Sequence, residues 1–230
     1  MLLATVLALV ALLVQTGCSA GPEKAAAPAA TGAAVRPRVL MFGDSYTAGH
    51  GAIPETQGYA YRIGKPLGWD VTVDGVGGTG YLAVGTKGKN LGSYRTRLDA
   101  APLGPFDVVV VQGSSNDERE PIGALPSALA TTIPAFHARY PGARIAMMGP
   151  VPTFGPPVPT KVAVNDVLKR YAADQGISFI DPVAGAWFGR DEWRQLTNPV
   201  NGHPNNAGYG RICDRFVTDA VRLKLGSQPG

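Results

Sequence analysis

Five short apolar runs punctuate the chain, each ending in glycine or a polar loop. They are Arg38 to Phe42, Asp70 to Val73, Asp107 to Gln112, Arg144 to Met148 and Ile177 to Ile180. Val108 to Val111 is an unbroken valine run, as expected of a strand covered on both faces. Between the runs the spacing becomes helical. Leu125, Leu129, Thr132, Ile133 and Phe136 form one stripe, in which Pro134 is expected to introduce a kink. Val164, Val167, Leu168, Tyr171 and Ala172 form a second, stopped by Gly176. Tyr209, Ile212, Cys213, Phe216, Val217, Ala220 and Val221 form a third, the most regular of the three. Strands separated by helices imply right-handed crossovers and a parallel sheet. Ligands of such sheets bind beyond the carboxyl ends of the strands.

The amino-terminal pattern is different. Leu2 to Val14 is apolar except for Thr5, too short to span a bilayer but suited to the apolar region of a signal peptide. Thr16, Gly17, Cys18 and Ser19 follow, and small residues before a cysteine resemble a bacterial lipobox, although Gln15 stands where an aliphatic residue is usual. Residues 1–18 are therefore expected to be a signal peptide with Cys18 as the lipidation site. Cleavage after Ala20 and an uncleaved anchor are the alternatives, and each places the mature protein outside the cytoplasm. Residues 19–35 are rich in Ala, Pro and Gly without apolar period, which predicts a flexible tether. The folded domain is expected over residues 36–226.

Composition narrows the classes. Of 230 residues, 45% are hydrophobic and 17% charged, ordinary for a globular domain and against wholesale disorder. The net charge of +4 is small, and no dense Lys/Arg run suggests nucleic acid. Two cysteines cannot build a disulfide framework, and Cys18 and Cys213 lie too far apart in sequence for a zinc-ligand spacing. Cys213, on its helical stripe, is read as a small core residue.

The chemistry-bearing residues fall at the strand ends. The first strand runs into Gly43-Asp44-Ser45, where a tight turn can expose a serine hydroxyl; alone, the same tripeptide reads as a helix N-cap. The second runs into Gly75-Val76-Gly77-Gly78-Thr79-Gly80, which matches the dinucleotide pattern G-x-G-x-x-G. It follows the second strand rather than the first, and the glycines beyond it oppose an immediate helix. It reads better as a loop with exposed backbone N–H groups facing an anion. The third strand runs into Gly113-Ser114-Ser115-Asn116-Asp117, where Asn116 offers an amide donor or, alternatively, a cap. His203-Pro204-Asn205 opens the last helix. His50 and His137 read as a loop histidine and a helix-surface histidine.

Nucleophile, amide loop, side-chain amide and base are the parts of an acyl-transfer site. In this order they resemble the GDSL lipase/esterase family, the SGNH hydrolases, over nearly all of Arg36 to Leu225. The resemblance implies an α/β fold: a three-layer α/β/α sandwich, flavodoxin-like, with a parallel five-stranded sheet in the order 2-1-3-4-5. It implies Ser45 as nucleophile and His203 as general base. It implies an oxyanion hole from Ser45, Gly78 (or Gly77) and Asn116. The implied activity is hydrolysis of carboxylic esters, with short acyl esters or acetylated saccharides as substrates and no metal or organic cofactor. Nucleic acid is not an expected partner, and membrane contact is expected only through a lipid anchor.

The third motif carries one residue more between Gly113 and Asn116 than the family's shortest form, and the main departure from the family lies before the histidine. The family's aspartate usually stands three residues before the histidine, where this chain has Val200. A main-chain carbonyl near Val200, the side chains of Asn198 or Asn201, or Asp181 or Asp191 from elsewhere are the candidates to orient His203. The first gives a Ser-His dyad. The missing aspartate also leaves room for a non-catalytic envelope-carbohydrate binder on the same fold. A flavin or nucleotide binder is a third, weaker reading, resting on Ser45-Tyr46-Thr47-Ala48-Gly49.

Overall fold

The structure, a computed structural model, describes residues 35–86, 88–153, 155 and 157–227. The expected signal peptide, Cys18 and nearly all of the tether lie outside the described residues. Five strands, β1 (Arg38–Gly43), β2 (Asp70–Gly75), β3 (Val108–Gln112), β4 (Arg144–Met148) and β5 (Ser178–Ile180), form one sheet. All pairings are parallel, and the order is 2-1-3-4-5. The expected fold is therefore present, and each expected strand is found within a few residues of its expected limits.

Strand alternation divides the core between the two faces of the sheet. Val39, Met41, Val108, Val110 and Met148 point to one face, with the aromatic residues Tyr59, Tyr209 and Phe216. Leu40, Phe42, Val109, Val111 and Met147 point to the other. Both faces are covered, so the central strands are apolar throughout rather than alternating.

Three long helices supply most of the cover. Helix α2 (Leu125–Arg139) and helix α3 (Pro159–Asp174) pack on the second face through Leu129, Ile133, Phe136, Val164 and Leu168. Helix α4 (Asn206–Arg222) covers the first through Tyr209, Ile212, Cys213 and Phe216. Cys213 is buried, as its stripe predicts. Pro134 does not end α2, whose helix runs on to Arg139. Phe136 is fully buried at the sheet, so truncating it to alanine is expected to cost about 3–5 kcal/mol. The short helix α1 (Ser45–Ala48) begins directly after β1. Among the described residues no helix is long and apolar enough to cross a membrane.

Candidate active site

The turn from β1 into α1 creates the first functional position. Asp44 is the N-cap: its Oδ1 accepts the Tyr46 N–H at 2.8 Å. This leaves Ser45 as the first helical residue, at the carboxyl edge of the central strand. Gly43 allows the close approach, because a Cβ there would lie 2.3 Å from Thr47 Oγ1 and 2.7 Å from Gln112 Oε1. Asp44 is fully buried, and desolvation raises its pKa to about 6.

His203 reaches the serine from the entrance of α4. A small hairpin-like turn carries it. The Asn198 N–H donates to the His203 carbonyl at 2.7 Å, the Gly202 N–H donates to the Asn198 carbonyl at 2.8 Å, and Gly202 has φ +72°. Asn205 caps α4 by accepting the Gly208 N–H at 3.0 Å. The outcome is a 2.9 Å contact between His203 Nε2 and Ser45 Oγ. Residues 158 positions apart thus form a hydrogen-bonded pair.

The other edge of the imidazole has much less support. His203 Nδ1 is buried and makes no hydrogen bond of good geometry among the described residues. The Asn198 and Asn201 side-chain oxygens are already engaged, accepting the N–H groups of Val200 and His203. Asp181 bonds Asn165, Lys169 and the Ala184 N–H. Val200 itself is 91% exposed. The pKa of His203 is lowered, first by burial and then by the neighbouring His50, while the Asn201 backbone raises it. Of the expected orienting groups, the Asn198, Asn201 and Asp181 side chains are thus committed elsewhere, and none of the groups bonds Nδ1 among the described residues.

On the far side of Ser45 stand the amide donors. Gly78 has φ +80°, a left-handed conformation that suits glycine. A Cβ on Gly77 would lie 2.7 Å from His50 Cε1 and 3.5 Å from Ser45 Cβ, so this stretch of backbone passes against the serine. Among the described residues, the N–H groups of Ser45, Gly77 and Gly78 donate to no acceptor. Asn116 Nδ2 donates to the Thr79 carbonyl at 3.0 Å, which anchors one amide hydrogen and leaves the second. Ser114 Oγ donates to the same carbonyl at 2.8 Å.

Sequence reasoning assigned no role to three residues here. Asp117 accepts the N–H groups of Tyr81, Leu82 and Ala83 at 3.0, 2.9 and 2.9 Å, clamping the glycine loop. Burial raises its pKa, and those three N–H groups oppose the shift. Arg97, the last residue of Tyr94-Arg95-Thr96-Arg97, is buried beneath the loop. His50 is no ordinary loop histidine, because its ring packs edge-on to His203 with centroids 5.8 Å apart. The Asp117 clamp had a visible signal in Asn116-Asp117; the other two depend on contacts distant in sequence.

A cavity of about 330 Å³ opens between the loops after β3 and β4, lined in part by Tyr46, Ser115, Glu118, Arg119, Thr160 and Lys161. Lys161 pairs with Glu118 and donates to Ser115 Oγ at 2.7 Å. A larger cavity of about 580 Å³ lies at the opposite end of the sheet, around Asp107, Pro141 and Arg144, away from the serine.

Comparison with known proteins gives the chain's family and its likeness in fold. The pattern of the GDSL-like lipase/acylhydrolase family matches residues 41–211. A GDSL lipase of Mycobacterium tuberculosis is 29% identical over 188 residues, covering 78% of this chain and 79% of the relative. Among solved structures, a Corynascus thermopiles (Myceliophthora fergusii) carbohydrate esterase family 2 enzyme with a carbohydrate-binding domain is similar at TM-score 0.65 and 20% identity. That similarity covers 84% of this chain and 68% of the other. A carbohydrate acetylesterase family member from Sinorhizobium meliloti is similar at TM-score 0.63 and 16% identity, covering 83% of this chain and 100% of the other. At these identities the structural matches speak to fold alone.

Proposed function

The chain belongs to the GDSL-like lipase/acylhydrolase family, whose members are carboxylic ester hydrolases, and from that premise we propose that it hydrolyses short acyl esters or acetylated saccharides through an acyl-enzyme on Ser45. The observation that carries this reading is the 2.9 Å contact between Ser45 Oγ and His203 Nε2. For Nε2 to accept the serine proton, the ring proton must sit on Nδ1. The lowered pKa of His203 keeps the ring neutral and ready to act as a base at neutral pH.

As Ser45 Oγ attacks the ester carbon, its proton passes to His203. The developing oxyanion is held by the N–H groups of Ser45 and Gly78 and the Asn116 amide. His203 then gives the proton to the departing alcohol. Water repeats the sequence on the acyl-enzyme, with His203 again as base. With the Asn198, Asn201 and Asp181 side chains committed elsewhere, a main-chain carbonyl of the turn near Val200 is the proposed acceptor for Nδ1, making the pair a dyad. A neutral acceptor stabilises imidazolium less than a carboxylate does, so turnover is expected below that of a full triad.

The cavity beside Tyr46 and Ser115 mixes polar side chains with Pro152, Pro157 and Val158, and its volume of about 330 Å³ suits a small acyl or sugar group better than a long alkyl chain. The apolar run Leu2 to Val14 ahead of Cys18 supports an extracytoplasmic protein tethered by a lipid. Loss of palmitate incorporation in Cys18→Ala tests that tether; continued incorporation removes it.

Turnover of p-nitrophenyl acetate that disappears in Ser45→Ala is the expected result. Turnover unchanged by that substitution rejects the mechanism. An inert wild-type protein that still binds acetylated glycan favours a non-catalytic binder instead. A chain-length series of acyl esters, run beside acetylated saccharides, then ranks the substrates.

A further inference from the structure

We propose that Arg97 is a positioning residue for the oxyanion donors, acting through Thr79; this rests on the esterase reading above. Arg97 ends the short helix Tyr94–Arg97 that follows the glycine loop. Its side chain is only 6% exposed. Nη1 donates to the Gly43 carbonyl at 2.8 Å and to Thr79 Oγ1 at 2.8 Å. Nη2 donates to Asp74 Oδ1 at 2.6 Å and to the Asp74 carbonyl at 3.3 Å. The guanidinium lies over the Phe42 ring, 4.3 Å from its centroid. A single planar fork therefore joins the ends of β1 and β2 to the loop that follows β2.

The atoms it grips are adjacent to the proposed oxyanion donors. Gly43 stands two residues before Ser45, and Thr79 directly follows Gly78. Thr79 passes the restraint onward, since its carbonyl accepts both Asn116 Nδ2 and Ser114 Oγ. Its hydroxyl donates to the Val76 carbonyl at 2.7 Å while accepting from Arg97. All three donors are thus tied to one buried cation, with Asp74 balancing the charge. Arg97 touches no reacting atom. Its effect is to hold the donors where the oxyanion forms, and loosening such a constellation is costly in rate even without loss of a donor. Lysine is a poor substitute, because a point ammonium cannot reproduce the fork.

The test compares Arg97→Lys, Thr79→Val and Thr79→Ser with the wild type. Readouts are p-nitrophenyl acetate kinetics, inhibition by phenylboronic acid (which forms a tetrahedral adduct on serine) and melting temperature. For Arg97→Lys and Thr79→Val, kcat is expected to fall by about 10- to 100-fold with KM little changed. The inhibition constant for the boronic acid should rise by a similar factor. Thr79→Ser, which keeps the hydroxyl, should restore both. Thr79→Val decides the matter if Arg97→Lys does not fold. A lowered melting temperature with kcat and boronic acid inhibition unchanged shows a merely structural arginine and overturns the inference alone. A wild type inert to ester and boronic acid overturns the esterase reading and this inference with it.

Discussion

The two flanks of Ser45 are built to different standards. On the glycine-loop side, the Asp117 carboxylate and the Thr79 carbonyl together receive five hydrogen bonds, three from N–H groups of residues 81–83 and two at the carbonyl. Arg97 adds a buried ion pair to that frame. On the histidine side, a short turn capped by Asn198 and Asn201 leaves Nδ1 with no well-aligned partner. The contrast assigns different shares of the chemistry. In the proposed mechanism, rate enhancement is expected to rest more on fixed dipoles around the oxyanion than on a strongly supported base.

The largest expected effect attacks the rigid side. Asn116→Ala should keep the fold and lose activity by about 10²–10³-fold, measured as kcat for p-nitrophenyl acetate. An unchanged rate would remove Asn116 from the site. Asp117→Asn comes next. It withdraws the carboxylate that holds residues 81–83, and is expected to cost about 1–3 kcal/mol in stability by denaturant titration. A fall in rate of about tenfold should accompany it as the loop loosens.

Substitutions on the histidine side should do less. Asp181→Asn and Asp191→Asn, measured in turn, should leave the rate nearly unchanged, because Asp181 is committed to Lys169 and Asn165. A loss of about a thousandfold from either would replace the dyad with a triad. His50→Asn should move the acidic limb of kcat/KM to higher pH. The sign follows from His50 lowering the His203 pKa, so its removal lets the base protonate earlier as pH falls. A limb that stays in place would uncouple the two rings.

Asp44 provides the smallest test, one of stability. Its folded pKa of about 6 exceeds the value near 4 expected when unfolded. The folded state therefore binds the proton more tightly, and this contribution is complete below about pH 4 and lost as pH rises through about 6. The melting temperature of the wild type relative to Asp44→Asn should accordingly fall between pH 5 and pH 8. A flat difference would show that Asp44 does not titrate in this range.

Much of the architecture was readable in advance. The valine run of β3 and the stripe of α4 follow from periodicity, because burial on two faces or one leaves that mark in the chain. Ser45, Gly78, Asn116 and His203 were readable as motifs at strand ends. Arg97 and His50 were not. A buried arginine looks like a surface one until its partners Gly43, Asp74 and Thr79 are brought together by the sheet. His50 likewise becomes notable only when the last helix places His203 beside it. The support of Nδ1 was open for a similar reason, since main-chain carbonyls leave no trace in side-chain identity.

The most direct test of the paired serine and histidine is to find where a fluorophosphonate lands. Peptide mass spectrometry after labelling should place a single adduct on Ser45, absent in Ser45→Ala and greatly slowed in His203→Ala. An adduct on another residue, or labelling of Ser45 at an undiminished rate without the imidazole, would contradict the account.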